Sequence, residues 1–349
     1  MSTQHKRPIT LRYIAKRLNV SHVTVSLALR NSPRVSQECR TRVVRTAKEL
    51  GYRSDPLMTQ LASYRKHSIH TKTQSVIAWI NDWENPQHFF AQSEFSNYFE
   101  GAKSMGERLG YDIEIFNTKE LDLKEESLGD VFSSRGIRGM IVPPHPSLYK
   151  IADEYLDEMA IIRIGFNSPS SKRHIVCSDQ FEGGRIAAQA MILAGYERIG
   201  YVSDRAKEIR SRHNFAAGFS TYCNYLSNKN SRVPALIFDS NDPVNGREIY
   251  RQWLEKYKVD AVFVSNGRVG DWTREFGLKF GSDIGMAGSS VWDAEYDSGL
   301  DQRPFEIGEV AMQLLTRCIE RNEFGVPKVP QRLLVLPTWV EGPDLSTKS

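Results

Sequence analysis

After a short polar start, the chain places apolar residues at helical spacing. These residues lie three or four positions apart and would share one helix face: Leu11, Ile14, Ala15 and Leu18. Thr10 is a suitable N-cap for this helix, and Asn19 tolerates the left-handed conformation in which a helix can end. Ser21 would then cap a second helix across a tight turn. The pattern predicts a helix-turn-helix unit.

The second helix repeats the apolar spacing at Val25, Ala28 and Leu29, so its other face would be open to a DNA major groove. That face carries His22, Val23, Ser26, Leu27 and Arg30, which are the candidate base readers. A third helix would begin at Ser36 and end before Gly51, which suits the position just past a helix. Its expected buried face is Val43, Val44, Ala47 and Leu50.

Beyond residue 72, short apolar runs rich in branched residues alternate with helical segments. The predicted strands are Ser75 to Ile80, Tyr111 to Phe116, Met140 to Pro143, Ala160 to Phe166, Ile199 to Val202, Leu236 to Phe238, Ala261 to Val264 and Ile284 to Ala287. Helices are predicted at Phe95 to Leu109, Gly183 to Ala194 and Phe305 to Glu320. Such alternation is typical of doubly wound parallel sheets, and about 280 residues suit two α/β lobes.

Charge is distributed unevenly along the chain. Residues 1–70 hold 14 Lys and Arg against 3 Asp and Glu, whereas the remainder holds 32 against 39. The formal net charge of +4 conceals this difference. A basic head on an ordinary body indicates a module that neutralises DNA phosphates, with an affinity that falls steeply with salt.

Three motifs carry a resemblance to a known family. They are Val20 to Ser26, which reads Val-Ser-x-x-Thr-Val-Ser, Pro33-Arg34-Val35-Ser36, and Leu50-Gly51-Tyr52-Arg53. Residues 8–63 resemble the head of the LacI/GalR family of bacterial transcription regulators, and the resemblance extends over nearly the whole chain. It implies operator contacts at Ser21, His22, Val23 and Leu27. The full set of expected DNA contacts is Thr10, Tyr13, Ser21, His22, Val23, Thr24, Ser26, Leu27, Arg30, Asn31, Arg34 and Leu61.

Leu27 departs from the family pattern, and the segment after the three helices resembles a further element of that family. Leu27 stands where the family often has arginine, so an unusual base preference is expected. Residues 54–63 resemble the family's hinge helix, with Pro56 in its first turn. By that alignment Leu61 would wedge into the minor groove and unstack a base step. The alternative is a plain linker helix with Leu61 packed on protein.

For the remainder, the resemblance implies the two-lobed fold of periplasmic binding proteins. Family landmarks are Asp179, Gly183-Gly184, Gly195 to Ile199 and Gly218-Phe219. The expected division is a head at 1–53, a hinge helix and linker at 54–72, an N-terminal lobe of 73–166 with about 299–326, and a C-terminal lobe of 167–298 with about 327–349. These crossings rest on the resemblance alone.

A cleft between α/β lobes binds ligands just beyond the carboxyl ends of the strands. Polar groups beside aromatic rings at such positions suit a sugar or another small polar metabolite. The candidate effector contacts are Asn81, Asp82, Phe89, Phe90, Pro143, Asn167, Asp179, Arg212, Phe215, Asn266, Ser290 and Gln302. Any one of them could instead be structural.

The cleft also departs from the family pattern. Phe215 stands where many relatives have arginine, and Asn266-Gly267 and Gly288-Ser289-Ser290 each lack an expected carboxylate. Three interpretations are open. The effector has fewer hydroxyl groups than a sugar, or it is bound by residues other than those of the family pattern, or there is no effector and the lobes serve dimerisation.

Other chemistry has little support in the sequence. Cys39, Cys177, Cys223 and Cys318 lack the spacing of a zinc site or a disulfide framework, so buried reduced thiols are expected. No cofactor, metal or nucleophile motif stands out, and no export signal or run of about 18 apolar residues is found. An enzyme or membrane protein is therefore not expected, and the cytoplasm is the expected compartment.

The combined expectation is a homodimeric, sequence-specific transcription regulator that represses at a near-palindromic operator and responds to a small molecule. One rival is an architectural DNA-binding protein without a ligand. The other is a solute-binding or enzymatic module with an accessory head.

Overall fold

The structure is a computed structural model. It describes residues 10–29, 34–50, 52, 75–119, 125–144, 157–166, 172–226, 232–293 and 295–348. Four of the predicted site residues lie outside these ranges, namely Arg30, Asn31, Leu61 and Asn167, as does the whole predicted hinge helix. Their roles stay predictions.

The head contains the three predicted helices, α1 (Leu11–Leu18), α2 (His22–Leu29) and α3 (Gln37–Glu49). Asn19 ends α1 with φ at 54°, and Ser36 Oγ caps α3 by accepting the amide of Cys39. Seven buried residues form its core: Ile14, Ala15, Val25, Ala28, Val35, Val43 and Ala47. The prediction for Val44 is wrong, because that side chain is 47% exposed while Thr46 is buried beside Val43. One residue after Val43 is a turn of about 100°, which carries Val44 off the core face.

Lobe one consists of a parallel sheet of six strands and the helices that pack against it. The strands are β1 (Ser75–Asn81), β2 (Tyr111–Asn117), β3 (Gly139–Val142), β4 (Ala160–Ile164), β5 (His174–Ser178) and β11 (Arg332–Val335). They lie in the order β11-β5-β4-β3-β1-β2. The helices are α4 (Gln87–Ala91), α5 (Ser93–Leu109), α6 (Glu125–Ser134) and α12 (Pro304–Arg321). The largest core cluster lies where α5 and α12 cover this sheet.

Lobe two is a second six-stranded sheet with its own helices. Its strands are β6 (Ile199–Asp204), β7 (Leu236–Phe238), β8 (Ala261–Val264), β9 (Gly285–Gly288), β10 (Gly299–Asp301) and β12 (Thr338–Val340). They lie in the order β12-β10-β9-β8-β6-β7, and only the pairing of β12 with β10 is antiparallel. The helices are α7 (Gln180–Leu193), α8 (Arg205–Ser211), α9 (Asn214–Leu226), α10 (Pro243–Tyr257) and α11 (Arg268–Glu275).

The strand pairings correct the expected crossings between lobes. β5 pairs with β4 and β11 pairs with β5, so both belong to lobe one, whereas the crossings expected near residues 166 and 326 put them in the other lobe. β10 pairs with β9 and so belongs to lobe two, not to the N-terminal lobe. The chain leaves lobe one after Ser178, returns after Asp301 and leaves again after Val335. The eight predicted strands are all present, but β5, β10, β11 and β12 were not predicted.

Each lobe contains one tightly crossed helix pair, α5 with α12 and α7 with α9. In all four helices the contact is a glycine that follows an aromatic residue by three positions: Tyr98 and Gly101, Phe181 and Gly184, Phe215 and Gly218, Phe305 and Gly308. Each glycine Cα lies against the partner helix at the backbone of that helix's aromatic residue. The two pairs therefore repeat one packing solution.

Candidate functional site

The beginning of α2 is held by its own side chains. Ser21 Oγ accepts the amide of Thr24 at 2.9 Å and lies 2.8 Å from Thr24 Oγ1. The prediction that Ser21 caps the helix is confirmed. These bonds fix the first turn of α2, the part of a recognition helix that reaches base edges in helix-turn-helix proteins.

The outward face of α2 presents the predicted base readers. His22 is exposed and Val23 is 52% exposed, whereas Ser26 is only partly buried. Leu27 is also partly buried and packs at the edge of the head core, so only part of its side chain faces outward. The face therefore combines the apolar side chains of Val23 and part of Leu27 with the polar side chains of His22 and Ser26.

Three further predicted DNA contacts among the described residues lie outside α2. Thr10 is exposed and caps α1 through the amide of Tyr13, 3.3 Å from its hydroxyl. Tyr13 itself is 51% exposed, and Arg34 is exposed before α3. An exposed ring and guanidinium at these places suit contacts to the DNA backbone.

In the body, the carboxyl edges of the two sheets face each other. Ser290 Oγ, beyond β9, donates to Glu94 Oε2 at 3.1 Å, and Tyr98 donates to the other oxygen of that carboxylate at 2.6 Å. Across the same gap, the guanidinium of Arg212 lies over the ring of Phe166. These contacts define the cleft, meaning the space between the two carboxyl edges.

The polar candidates on the edge of lobe one make hydrogen bonds within the protein. Asn81 is fully buried and donates to Asn117 Oδ1 at 3.0 Å and to the carbonyl of Pro86 at 3.2 Å. Asp82 is buried, accepts from Thr118 and lies 3.7 Å from Lys119 Nζ. Both side chains thus tie the end of β1 to the end of β2.

The apolar candidates of lobe one differ in exposure. Phe89 is fully buried against Trp79, and Pro143 is buried after β3. Both residues therefore belong to the packed interior of lobe one. Phe90 is 36% exposed and packs edge-on against Phe89 and Phe99. Among these three, Phe90 alone offers an accessible ring.

On the edge of lobe two, internal hydrogen bonds again account for the polar candidates. Asn266 donates to Asp204 Oδ2 at 2.7 Å, and Gln302 donates to the carbonyl of Ser289 at 2.9 Å. Asp179 caps α7 by accepting the amide of Glu182 at 3.0 Å. Phe215 is buried and packs edge-on against Phe263. The residue in the family's arginine position is thus a core residue here.

Sequence reasoning missed several polar atoms beside the strand ends. Among the described residues, buried polar atoms without a hydrogen-bond partner include Trp83 Nε1, Ser178 Oγ, Gln180 Oε1 and Arg303 Nε. Each lies at the carboxyl end of a strand or within two residues of it. Buried polar atoms usually have partners, so these four atoms are candidates for contact with a polar ligand. Position after a strand was the only signal that could have identified them.

Arg212 is fixed by a strained turn between α8 and α9. It and His213 have φ of 53° and 59°, a conformation that non-glycine residues rarely adopt. Glu208, 1% exposed, anchors the turn: it accepts from Tyr201 at 2.5 Å, and its other oxygen lies 3.0 Å from His213 Nδ1. The turn directs Arg212 toward lobe one.

Two guanidinium groups converge on one ring beside this turn. Arg212 lies 5.4 Å from the centroid of Phe166, and Arg332, from β11, lies 5.6 Å from it. Burial, together with the charge of Arg332, lowers the pKa of Arg212. Burial and Asp179 raise the pKa of Cys177, which packs with Phe166, to about 12. That thiol therefore stays neutral beside two cations.

Two cavities lie within lobe two. One of about 670 Å³ is lined by α7, β12 and the C-terminal residues, and one of about 310 Å³ by α9 and the residues before β7. Neither is lined by a predicted effector contact. Over the described ranges, no helix is long and apolar enough to cross a membrane, and no cluster of three or more metal-ligating side chains occurs.

Comparison with known proteins bears on both parts of the chain. Residues 10–55 match the family model described as bacterial regulatory proteins, lacI family. The HTH-type transcriptional repressor PurR of Klebsiella pneumoniae strain 342 is 22% identical over 351 residues, which covers 96% of this chain and 98% of the repressor.

Solved structures show the same fold. The transcriptional regulator CelR in complex with cellobiose has a TM-score of 0.57 at 20% identity, covering 95% of this chain and 98% of that one. The Lac repressor dimer bound to operator and the anti-inducer ONPF has a TM-score of 0.56 at 18% identity, covering 97% and 100%. The head thus matches the lacI family model, and the chain as a whole is similar in sequence to PurR repressors and shares the two-lobed fold of these solved structures.

Proposed function

We propose that this protein is a sequence-specific repressor of transcription that binds a near-palindromic DNA operator as a homodimer. The observation that carries the proposal is the outward face of α2, with His22 and Val23 exposed on a helix whose beginning is fixed by Ser21 and Thr24. The 14 basic residues among the first 70 supply phosphate neutralisation. Two symmetric heads would read two half-sites.

The body would make operator binding depend on a small polar metabolite. The cleft supplies buried polar atoms without partners, and the contacts of Ser290 and Arg212 across it depend on how the lobes are arranged. A ligand with different affinity for two lobe arrangements shifts the balance between them. In the similar CelR structure the ligand is cellobiose. Such a regulator would act in the cytoplasm, and the proposal assigns it no chemical reaction.

The DNA part is tested by selecting bound duplexes from a random library at near-physiological salt. An enriched near-palindrome is expected, and its base preference should change in Val23→Ala. The matched control is Val44→Ala, which trims a valine of similar exposure on α3. An unchanged motif in Val23→Ala, or no motif in the wild type, would contradict the proposal.

The predicted wedge at Leu61 and the effector need separate measurements. Leu61→Ala should weaken specific operator binding while leaving the body folded, because an inserted side chain stabilises the bent DNA. Metabolites should change the affinity for the selected operator. If none does, the lobes serve dimerisation alone, which is the alternative function.

A further inference from the structure

We infer that the effector is anionic: the cleft takes a small molecule carrying a carboxylate or phosphate group, which Arg212 and Arg332 bind together. This inference rests on the proposed effector cleft and specifies its ligand class.

The two arginines come from different lobes. Arg332 is on β11 of lobe one, and Arg212 follows α8 of lobe two. Both guanidinium groups lie within 6 Å of the Phe166 ring centroid, and this ring packs on Ile175 and Cys177. The ring therefore acts as a common platform for two like charges.

Their arrangement favours a negative ligand on electrostatic grounds. Two cations held on one ring repel each other, and the lowered pKa of Arg212 reflects both burial and the charge of Arg332. Cys177 stays protonated and adds no negative charge. Among the described residues, Asp179 is a carboxylate that acts on Cys177, and one of its oxygens caps α7. A bound anion would offset the electrostatic repulsion between the two guanidinium groups.

The geometry also suits recognition of an anion by more than one hydrogen bond. A guanidinium has five donors in a planar fork, so it can stack on a ring and still bind a carboxylate or phosphate edge-on. The strained turn anchored by Glu208 restricts the motion of Arg212. Less ordering is therefore required when a ligand binds.

Attachment to separate lobes gives the pair a regulatory consequence. An anion bound by both arginines would bridge lobe two to lobe one beside Phe166. It would therefore bind the arrangement in which the guanidinium groups are close more tightly than one in which they are apart.

The test measures thermal unfolding of the full chain in inorganic phosphate and, separately, in succinate, each against chloride at equal ionic strength. The proteins are wild type, Arg212→Gln, Arg332→Gln and Arg251→Gln. Arg251 forms an exposed pair with Glu248 on α10, so its variant is the matched loss of one positive charge.

Wild type and Arg251→Gln should gain thermal stability in at least one of the two anions, and the arm that responds identifies phosphate or carboxylate. Arg212→Gln and Arg332→Gln should each weaken apparent binding about tenfold or more, since each removes a charged hydrogen-bonding partner.

Equal stabilisation of all four proteins would place the anion elsewhere, for example on the basic head, and would overturn the inference. No stabilisation of the wild type in either anion would also overturn it. Operator selection with the same preparation distinguishes the two proposals. An enriched palindrome without an anion effect would support the proposed repressor and contradict only the anionic effector.

Discussion

Replacing Gly101 with alanine tests whether the glycine contact between α5 and α12 sets the geometry of lobe one. A Cβ at Gly101 would lie 2.7 Å from the carbonyl carbon of Phe305 and 3.0 Å from its Cα, and closer still to its carbonyl oxygen. Ordinary contacts between carbon atoms are about 3.5–4.0 Å, so the helices would have to separate by about 1 Å. Both obstructing groups are backbone and cannot rotate away.

Two opposing effects decide the sign of this substitution. Alanine favours a helix interior over glycine by about 1 kcal/mol. Overpacking costs about 1–3 kcal/mol or more, and a gap of about 1 Å also weakens the dispersion contacts along the interface. Those contacts involve large buried residues such as Phe99, Met105 and Met312. We therefore expect a net loss of about 2 kcal/mol, which corresponds to a fall of about 4–8 °C in Tm.

Urea unfolding followed by circular dichroism measures the loss, and Gly106→Ala on the same helix is the control. A Cβ at Gly106 would lie 3.2 Å from the Tyr111 carbonyl oxygen and 3.5 Å from the end of Met312, which a small shift can relieve. Its stability should change by less than about 1 kcal/mol. If Gly101→Ala is as stable as wild type, the close helix crossing does not determine packing in lobe one.

Three further predictions concern the head, the sheet and the cleft. Ser21→Ala removes the cap of α2 and should cost about 1 kcal/mol of stability together with a loss of operator affinity; an unchanged melting curve would contradict the capping role. His174 accepts the amide of Gln331, and burial lowers its pKa below the ordinary 6.5, so stability present above about pH 6.5 should fall as pH drops further. That slope should be weaker in His174→Asn, whose amide oxygen still accepts, and an identical pH profile would exclude His174 as the cause. Ser290→Ala removes the bond to Glu94 across the cleft and should speed hydrogen exchange near both residues, whereas unchanged exchange would mean that the bond does not hold the lobes together.

Most of the eight strands predicted from the sequence are short runs rich in branched or aromatic residues, although β9 itself reads Gly-Met-Ala-Gly. The missed strands are shorter or begin with a polar or charged residue, as β11 does with Arg332. β10 and β12 have three residues each, and β5 begins with a histidine. These strands exist because a neighbouring strand already offers hydrogen bonds, which is a property of the sheet and not of the segment.

The candidate site was predictable in kind but less so in detail. Proximity to strand ends selected Ser290, two residues beyond β9, and Arg212, which lies farther along in the turn after α8; both make contacts between the lobes. The same rule selected Phe89 and Phe215, which are buried in the cores. The rule could not distinguish buried from accessible residues, because burial depends on the helix that packs against the strand end.

The sequence by itself determined the head and the alternating order of the body. Helix caps, apolar spacing and turn residues act over three or four positions, so their physics is complete within the segment. Tertiary structure alone decided which distant residues meet. Glu94 and Ser290 lie 196 residues apart, and Arg212 meets Phe166 across two lobes. Those contacts depend on strand order and on where the chain crosses between sheets, which no local interaction specifies.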